Sequence, residues 1–208
     1  MTYSIQQPYL KNHKVHDFHQ SLEKERQSIE RGDHLAIVHQ LNVEYQNRHN
    51  IRIDFDTFED NYGDDSFSKF RNKAGVDASF DLVSCKTGKV LQKGFTLDYK
   101  LRDPNAPWDD FLAEIVSQDF GLYSNKMPVP GWALCNHKIN DAILYILPLH
   151  KKAALVLRKE LKEGLEKSKF SMRNRKYAKN NGWTTISVPI DWSRLTKVCP
   201  STIIFNYE

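Results

Sequence analysis

The chain has 208 residues, of which 40% are hydrophobic and 27% charged, values typical of a soluble globular protein rather than a disordered or fibrous one. Lysine and arginine outnumber aspartate and glutamate by 30 to 26, a mild excess that permits a polyanionic partner without requiring one. Three widely spaced cysteines and no apolar run of about 18 residues argue against a disulfide framework, a zinc-finger spacing and a membrane span. We therefore expect a cytoplasmic protein with no membrane partner.

The N-terminal quarter of the chain predicts two helices and then a strand. Residues 1–32 are polar, helix-prone and end at a C-cap candidate, Gly32, so we interpret them as a helical extension of a core spanning about 33–208. The segment DHLAIVHQLNVEYQNRH begins with an N-cap candidate and has Leu41 and Glu44 on one stripe, which predicts a helix packed on the core. IRIDFDTFEDNYGDDSF then predicts a short strand followed by an acidic loop.

The rest of the chain predicts strands with intervening helices. VDASFDLVSCKTGKVLQKGFTLDYKLR indicates two strands around a Lys-Thr-Gly turn, and DPNAPWDD indicates a loop. FLAEIVSQDFG predicts a short helix, KINDAILYILP an apolar strand, LHKKAALVLRKELKEGLEKSK a long helix, and GWTTISVPI a last strand closed by Pro189. Helices around a few central strands predict a single α/β domain with a mixed central sheet.

The second strand of the predicted hairpin carries a carboxylate and an ammonium on one face. Side chains alternate along GFTLDYKLR, so Asp98 and Lys100 share one face while Tyr99 points to the other. A two-residue turn at Thr87–Gly88, or a four-residue loop around it, pairs Asp77 with Asp98 on the neighbouring strand. A three-residue loop would shift this pairing by one residue.

Two facing carboxylates at this position indicate a metal site. Facing Cβ atoms in an antiparallel pair lie about 5 Å apart, so Asp77 and Asp98 would repel each other unless a cation lies between them or one of them is protonated. Oxygen ligands of this kind suit Mg²⁺, for which Mn²⁺ can substitute. Lys100 would then stabilise a developing phosphorane charge or orient the attacking water. Asp81 competes with Asp77 for the first position, but it lies farther from Asp98 along the strand.

These residues also resemble a known motif. GVDASFDLV, a turn and LDYK together resemble the core of the PD-(D/E)XK nuclease superfamily, in which an Asp opens one strand and (D/E)-X-K lies on its hairpin partner. The resemblance covers about residues 75–100, with an apolar strand, a helix and a short strand downstream in the order such folds use. It implies a restriction-endonuclease-like core in which Asp77 and Asp98 bind metal and Lys100 is the motif lysine. The family often adds an acidic residue on a preceding helix, for which Glu44 is the best match. The proline before the first Asp is absent here, and Asp replaces the commoner Glu at the second site.

A basic segment near the C-terminus suggests a nucleic-acid contact. KSKFSMRNRKYAKNNGW interleaves lysine and arginine with aromatic residues. Cations bind backbone phosphates and aromatic rings stack on unpaired bases, which predicts DNA contacts by Arg173, Arg175, Lys176 and Lys179. The alternative is a solvated loop whose aromatic residues anchor it to the core.

Taken together, the residues predict a Mg²⁺-dependent deoxyribonuclease with Asp77, Asp98, Lys100 and Glu44 at its catalytic site. Whether it would cut at ends or internally, and which form of substrate it would take, are left open. The alternative hypothesis is a catalytically inert nucleic-acid-binding or interaction domain on the same fold. By analogy, a small chain without a separate recognition domain is compatible with a homodimer.

Overall fold

A computed structural model of the chain describes residues 33–60, 70–71, 74–121, 124–167 and 174–207. The predicted N-terminal helical extension lies outside these residues. The described elements are, in chain order, α1 (Asp33–His49), β1 (Ile51–Asp60), β2 (Ala78–Ser84), β3 (Val90–Leu101), β4 (Phe111–Asp119), β5 (Val129–Pro130), β6 (Ala142–Leu147), a 3-10 turn (Pro148–His150), β7 (Lys152–Leu157), α2 (Arg158–Glu166), β8 (Lys176–Lys179), β9 (Thr184–Ile190), α3 (Trp192–Val198) and β10 (Ile203–Asn206).

The strands form two sheets. The larger has six strands in the order β1-β2-β3-β6-β7-β10, and the smaller has four in the order β5-β4-β9-β8. β3 and β6 pair in parallel while the other neighbours in the larger sheet are antiparallel, so the predicted mixed sheet in a mixed α/β fold is confirmed. Parallel neighbours need a long crossover connection, and here that connection contains β4 and β5. None of the helices in the described part of the chain is long and apolar enough to cross a membrane.

One face of the larger sheet is covered by α1. Four residues of this helix, Ile37, Val38, Leu41 and Tyr45, are buried in one apolar cluster with side chains of the sheet such as Leu97. They recur with helical spacing, so one stripe of α1 faces the sheet, and burying each large apolar side chain contributes about 1.5–3 kcal/mol. The predicted helix is confirmed. The strand that follows is longer than expected, because β1 extends over 10 residues.

The other face of the larger sheet is covered by the smaller sheet together with α2 and α3, whose leucines join the same buried cluster. Phe111 and Ala113 of β4 and Val188 of β9 belong to a second buried cluster, together with Ile143 and Tyr145 of β6. The helix predicted for FLAEIVSQDFG is therefore wrong, and this segment is β4. Burial alternates along its first five residues, as it does in a strand packed on one side. Its partner β9 lies far away in sequence, so the pairing that decides its structure is not visible locally.

The long helix predicted for LHKKAALVLRKELKEGLEKSK is only half right. Its second half is α2, but its first half is β7, paired with β6 on one side and β10 on the other. Residues 153–156 of β7 are all buried, because both faces of this strand are covered. Alanine and leucine favour helices by a few tenths of a kcal/mol, and burial between two strands outweighs that preference.

The predicted C-terminal strand is confirmed as β9, although it is not the last element, since α3 and β10 follow it. Pro189 lies inside β9 rather than after it. It pairs with Leu112 of β4, whereas the pairing of β9 with β8 extends only to Ser187. A proline, which has no N–H to donate, is tolerated at a position with a strand on only one side.

Candidate functional site

The hairpin of β2 and β3 reaches the predicted register by a different route. Ala78 pairs with Leu97 at the far end of the hairpin, as the predicted register requires, and Asp77 lies one residue before this strand. At the near end Val83 pairs with Val90, because two irregularities each place one extra residue in β3. The two-residue turn is wrong, since the backbone N–H of Ser84 donates to Lys89 O across a wider turn. The two extra residues in β3 offset the wider turn, so the far end of the hairpin keeps the predicted register.

Asp81, the alternative first ligand, has a structural role in this hairpin. Its Oδ1 accepts a hydrogen bond of 2.7 Å from the backbone N–H of Gly94, and its own N–H donates to Thr57 Oγ1 at 2.8 Å. Gly94 has a φ of +57°, a conformation that favours glycine. The carboxylate of Asp81 therefore helps to hold the irregular part of β3.

Asp98 and Lys100 lie on the same face of β3, as predicted, and form an ion pair. Lys100 Nζ donates to Asp98 Oδ1 at 2.7 Å and to the carbonyl oxygen of Tyr99 at 3.1 Å. The side chain of Asp98 is only 2% exposed, and its Oδ2 has no hydrogen-bond partner within the described residues. A buried acceptor without a partner costs about 1–3 kcal/mol. The structure therefore places an unsatisfied carboxylate oxygen beside the predicted motif lysine.

A second cation, Arg158, lies close to Asp98. Arg158 is the first residue of α2 and is buried; its guanidinium donates to Trp132 O at 2.7 Å and to Cys135 O. Burial lowers the pKa of Arg158, while the charge of Asp98 acts in the opposite direction. The guanidinium is thus within electrostatic reach of Asp98 while it holds the loop that contains Trp132. The predicted long helix gave no sign that this arginine is buried.

Asp77 lies immediately before β2 and binds the backbone of β3. Its N–H donates to Leu97 O at 2.8 Å, and its Oδ2 accepts from the N–H of Tyr99 at 2.6 Å. Asp77 therefore binds the backbone on either side of Asp98, through its N–H on one side and its carboxylate on the other. Across the described ranges, however, no group of three or more His, Cys, Asp or Glu side chains is arranged to hold a metal ion. The Mg²⁺ site consequently stays a prediction.

Glu44 does not lie beside Asp98. Its carboxylate is 2.8 Å from the guanidinium of Arg48, which also donates to Ile204 O of β10. The helix α1 that carries it packs on the apolar cluster containing Tyr99. Asp98 pairs with Ile143, a member of the other cluster, and so faces the opposite side of the sheet.

A cleft of about 250 Å³ adjoins the ion pair through Trp132, which lines it. We call it the Trp132 cleft; its lining includes Glu114, Val129, Trp132, Cys135, His137 and Lys138. Lys100 Nζ is 6.0 Å from the centroid of the Trp132 ring. The backbone N–H of Trp132 donates to Glu114 Oε1 at 3.4 Å. Glu114 was not a predicted site residue, because its segment was interpreted as a short helix. FLAEIVS gave only a weak signal for a strand, because a single acidic residue interrupts an otherwise largely apolar run.

The basic residues near the C-terminus are exposed where the structure describes them. Arg173 lies outside the described residues, whereas Arg175, Lys176 and Lys179 are exposed. Lys176 and Lys179 are the ends of β8, so this part is an edge strand of the smaller sheet rather than a loop. β9 separates it from β4.

Comparisons with known proteins show no relative: no family model matches the chain, and no curated protein or solved structure is significantly similar to it. The resemblance to the PD-(D/E)XK nucleases therefore rests on the residues of the hairpin alone.

Proposed function

We propose that this protein is a divalent-metal-dependent nuclease that hydrolyses phosphodiester bonds of DNA. The observation that carries the proposal is the environment of Asp98. One of its oxygens binds Lys100, the other is buried without a hydrogen-bond partner among described residues, and both residues lie on a covered face of the sheet. Burying a charged group in this way lowers stability unless it is compensated, and such groups cluster at functional sites.

The donor set fits a hard cation. Asp77 binds the backbone N–H of Tyr99, next to Asp98, and the unsatisfied oxygen of Asp98 is a ligand of the type that Mg²⁺ and Mn²⁺ prefer. Water would complete the coordination, as is usual for Mg²⁺. A cation bound there would polarise a phosphoryl oxygen and lower the pKa of a water. Glu44 is not part of the proposed set, because α1 covers the opposite face.

The surrounding cations suit a phosphate substrate. The side chain of Lys100 is 26% exposed, and its ammonium contacts Asp98. There it is positioned to donate to a phosphoryl oxygen and to stabilise the negative charge that develops during hydrolysis. Arg158 is held behind the pair by two backbone carbonyls and adds positive potential without needing to touch the substrate.

A plasmid assay tests the proposal. The chain should nick or linearise supercoiled DNA in Mg²⁺ or Mn²⁺ but not in EDTA. Asp98→Asn keeps the shape of the side chain and removes its charge, so cleavage should fall by at least about a hundredfold. Asp81→Asn is the matched control, since an amide oxygen can still accept from Gly94. Full activity of the Asp98 variant, or cleavage in EDTA, would refute the proposal.

The second candidate is a catalytically inert nucleic-acid-binding domain. The observation in its favour is that Lys100 already neutralises Asp98, as a purely structural pair would. The exposed basic strand β8 would then supply the binding surface. Binding of DNA without cleavage of linear, circular, single-stranded or branched substrates, in either metal, would establish this candidate over the nuclease.

A further inference from the structure

We infer that the Trp132 cleft binds an unpaired nucleotide of the strand whose phosphodiester lies at Asp98 and Lys100. This inference rests on the proposed function and names its substrate class: nucleic acid that is single-stranded, or frayed next to the scissile bond. Three features support it, namely a rigid cleft wall, an aromatic ring shared with the catalytic site, and a matching set of polar groups.

The wall of the cleft is rigidly attached to the rest of the fold. The N–H of Gly131 donates to Ile115 O at 3.0 Å, and that of Ala133 donates to Glu114 O at 3.1 Å, so the loop lies directly on β4. A Cβ at Gly131 would collide with the backbone of Glu114, which explains why glycine stands there. Arg158 holds the other side of the loop through two carbonyls. A wall fixed in this way binds a ligand without a large cost of ordering.

Trp132 connects the cleft to the catalytic residues. Its ring lies 6.0 Å from Lys100 Nζ and packs edge-on against Phe111 with centroids 6.0 Å apart. The side chain is only partly buried and lines the cleft. An indole held rigidly at the border of a cleft offers a surface on which any base can stack. A nucleotide stacked there would place its neighbouring phosphate towards Lys100.

Lys138, another residue of the cleft lining, lies against the segment that leads to Asp77. The stem of Lys138 lies over Gly75, where an added Cβ would be 2.6 Å from Lys138 Cδ, and Gly75 is two residues before Asp77. The ammonium of Lys138 therefore belongs to the same border between cleft and catalytic site, where a backbone phosphate needs a cation. His137, which contacts Cys135 Sγ, and Glu114, which accepts from the backbone N–H of Trp132, also line the cleft and would meet the edge of a base there. Only an unpaired or extruded base exposes both a face and an edge to such a cleft.

Binding measurements test this inference. Fluorescence anisotropy would compare a labelled single-stranded oligodeoxynucleotide with its blunt duplex, in Ca²⁺ to suppress cleavage. Trp132→Leu should weaken single-strand binding about tenfold and leave duplex binding nearly unchanged, because one stacked base is lost. Lys138→Met keeps the stem on Gly75 and should reduce the salt slope for the single strand by about 0.7. Lys159→Met, an exposed lysine on α2 away from the cleft lining, is the matched charge control.

The outcomes separate this inference from the proposed function. Unchanged single-strand affinity and slope in both cleft variants, equal losses on single strand and duplex, or no binding of either form would overturn it. Thermal unfolding identifies a folding defect in Trp132→Leu. If that variant is misfolded, the salt slope of single-strand binding by Lys138→Met decides whether the inference holds. Metal-dependent cleavage that is lost in Asp98→Asn would stand even if the cleft variants bound normally. Conversely, Trp132-dependent binding without cleavage would overturn the nuclease and leave a nucleotide cleft.

Discussion

The two faces of the six-stranded sheet are both covered, yet they contain different chemistry. Leu97 and Tyr99 point towards α1 and join a buried cluster made of hydrophobic side chains. Asp98 and Lys100, which alternate with them on β3, point towards the smaller sheet and form an ion pair beside a second apolar cluster. Alternate residues of one strand therefore lie in two different environments.

This difference between the two faces is the reason for proposing the catalytic site on the face that carries Asp98. The face under α1 contributes to stability through apolar burial, at about 25 cal/mol for each Å² of apolar surface. The face under the smaller sheet buries Asp98 and Arg158, which is unfavourable in itself, and leaves one carboxylate oxygen without a partner among the residues described. Departures from favourable local packing of this kind concentrate at functional sites.

The largest effect is expected from Lys100→Met. Cleavage should fall by about a hundredfold or more, since the variant loses the cation next to the reacting phosphate. The free energy of unfolding should also fall by about 1–3 kcal/mol, because Asp98 keeps its buried charge and loses its hydrogen bond. Single-turnover cleavage and urea unfolding measure the two effects. Wild-type activity in Lys100→Met would contradict the proposal that catalysis belongs to the face that carries Asp98.

Leu97→Ala probes the other face of the same strand. Its side chain is fully buried, so the truncation should reduce the free energy of unfolding by about 2–5 kcal/mol. Cleavage by the folded fraction, measured at low temperature, should stay within about twofold of the wild type, because the substituted side chain points away from Asp98. A folded Leu97→Ala protein without activity would remove the functional difference between the faces.

The exposed edge of the smaller sheet should affect binding alone. Replacing Lys176 and Lys179 together with alanine should lower the salt slope of duplex binding by about 1.8, since each phosphate contact contributes about 0.9. Turnover at saturating substrate should change little, because β9 separates β8 from β4. The double variant Lys86→Ala, Lys89→Ala removes the same charge from the exposed hairpin turn and is the control. Equal slopes in the two double variants would exclude β8 from the interface.

The smallest effect is expected from Asp191, a carboxylate outside both faces. Hydrogen bonds from Ser193 Oγ and from the N–H of Arg194 lower the pKa of Asp191, which caps α3. Asp191→Ala should reduce the free energy of unfolding by about 1 kcal/mol near neutral pH. A carboxyl whose pKa is lowered on folding stabilises above its usual pKa of about 3.9, and the contribution disappears as pH falls through the folded value. The difference from wild type should therefore shrink in acid; a constant difference would contradict the assignment.

Local pattern alone was sufficient for part of the fold and of the site. The period-two alternation of GFTLDYKLR placed Asp98 and Lys100 on one face, and the helical stripe of DHLAIVHQLNVEYQNRH predicted α1. Both depend on the geometry of consecutive residues. The predicted register is correct where Ala78 pairs with Leu97, although the predicted turn was wrong and two bulges restored the register.

What the sequence determined by itself is therefore the side of an element to which each residue points; what lies on that side was decided by the tertiary structure. The strand β4, and with it Glu114, followed from pairing with β9, some seventy residues away. Arg158 became buried beside Asp98 because β7, rather than a helix, precedes it. Short apolar runs fit a helix or a strand equally well, so their state depends on partners that only the folded chain brings together. Glu44 is a further example. The sequence placed it on a helix, but only the tertiary structure placed that helix, α1, on the face opposite to Asp98.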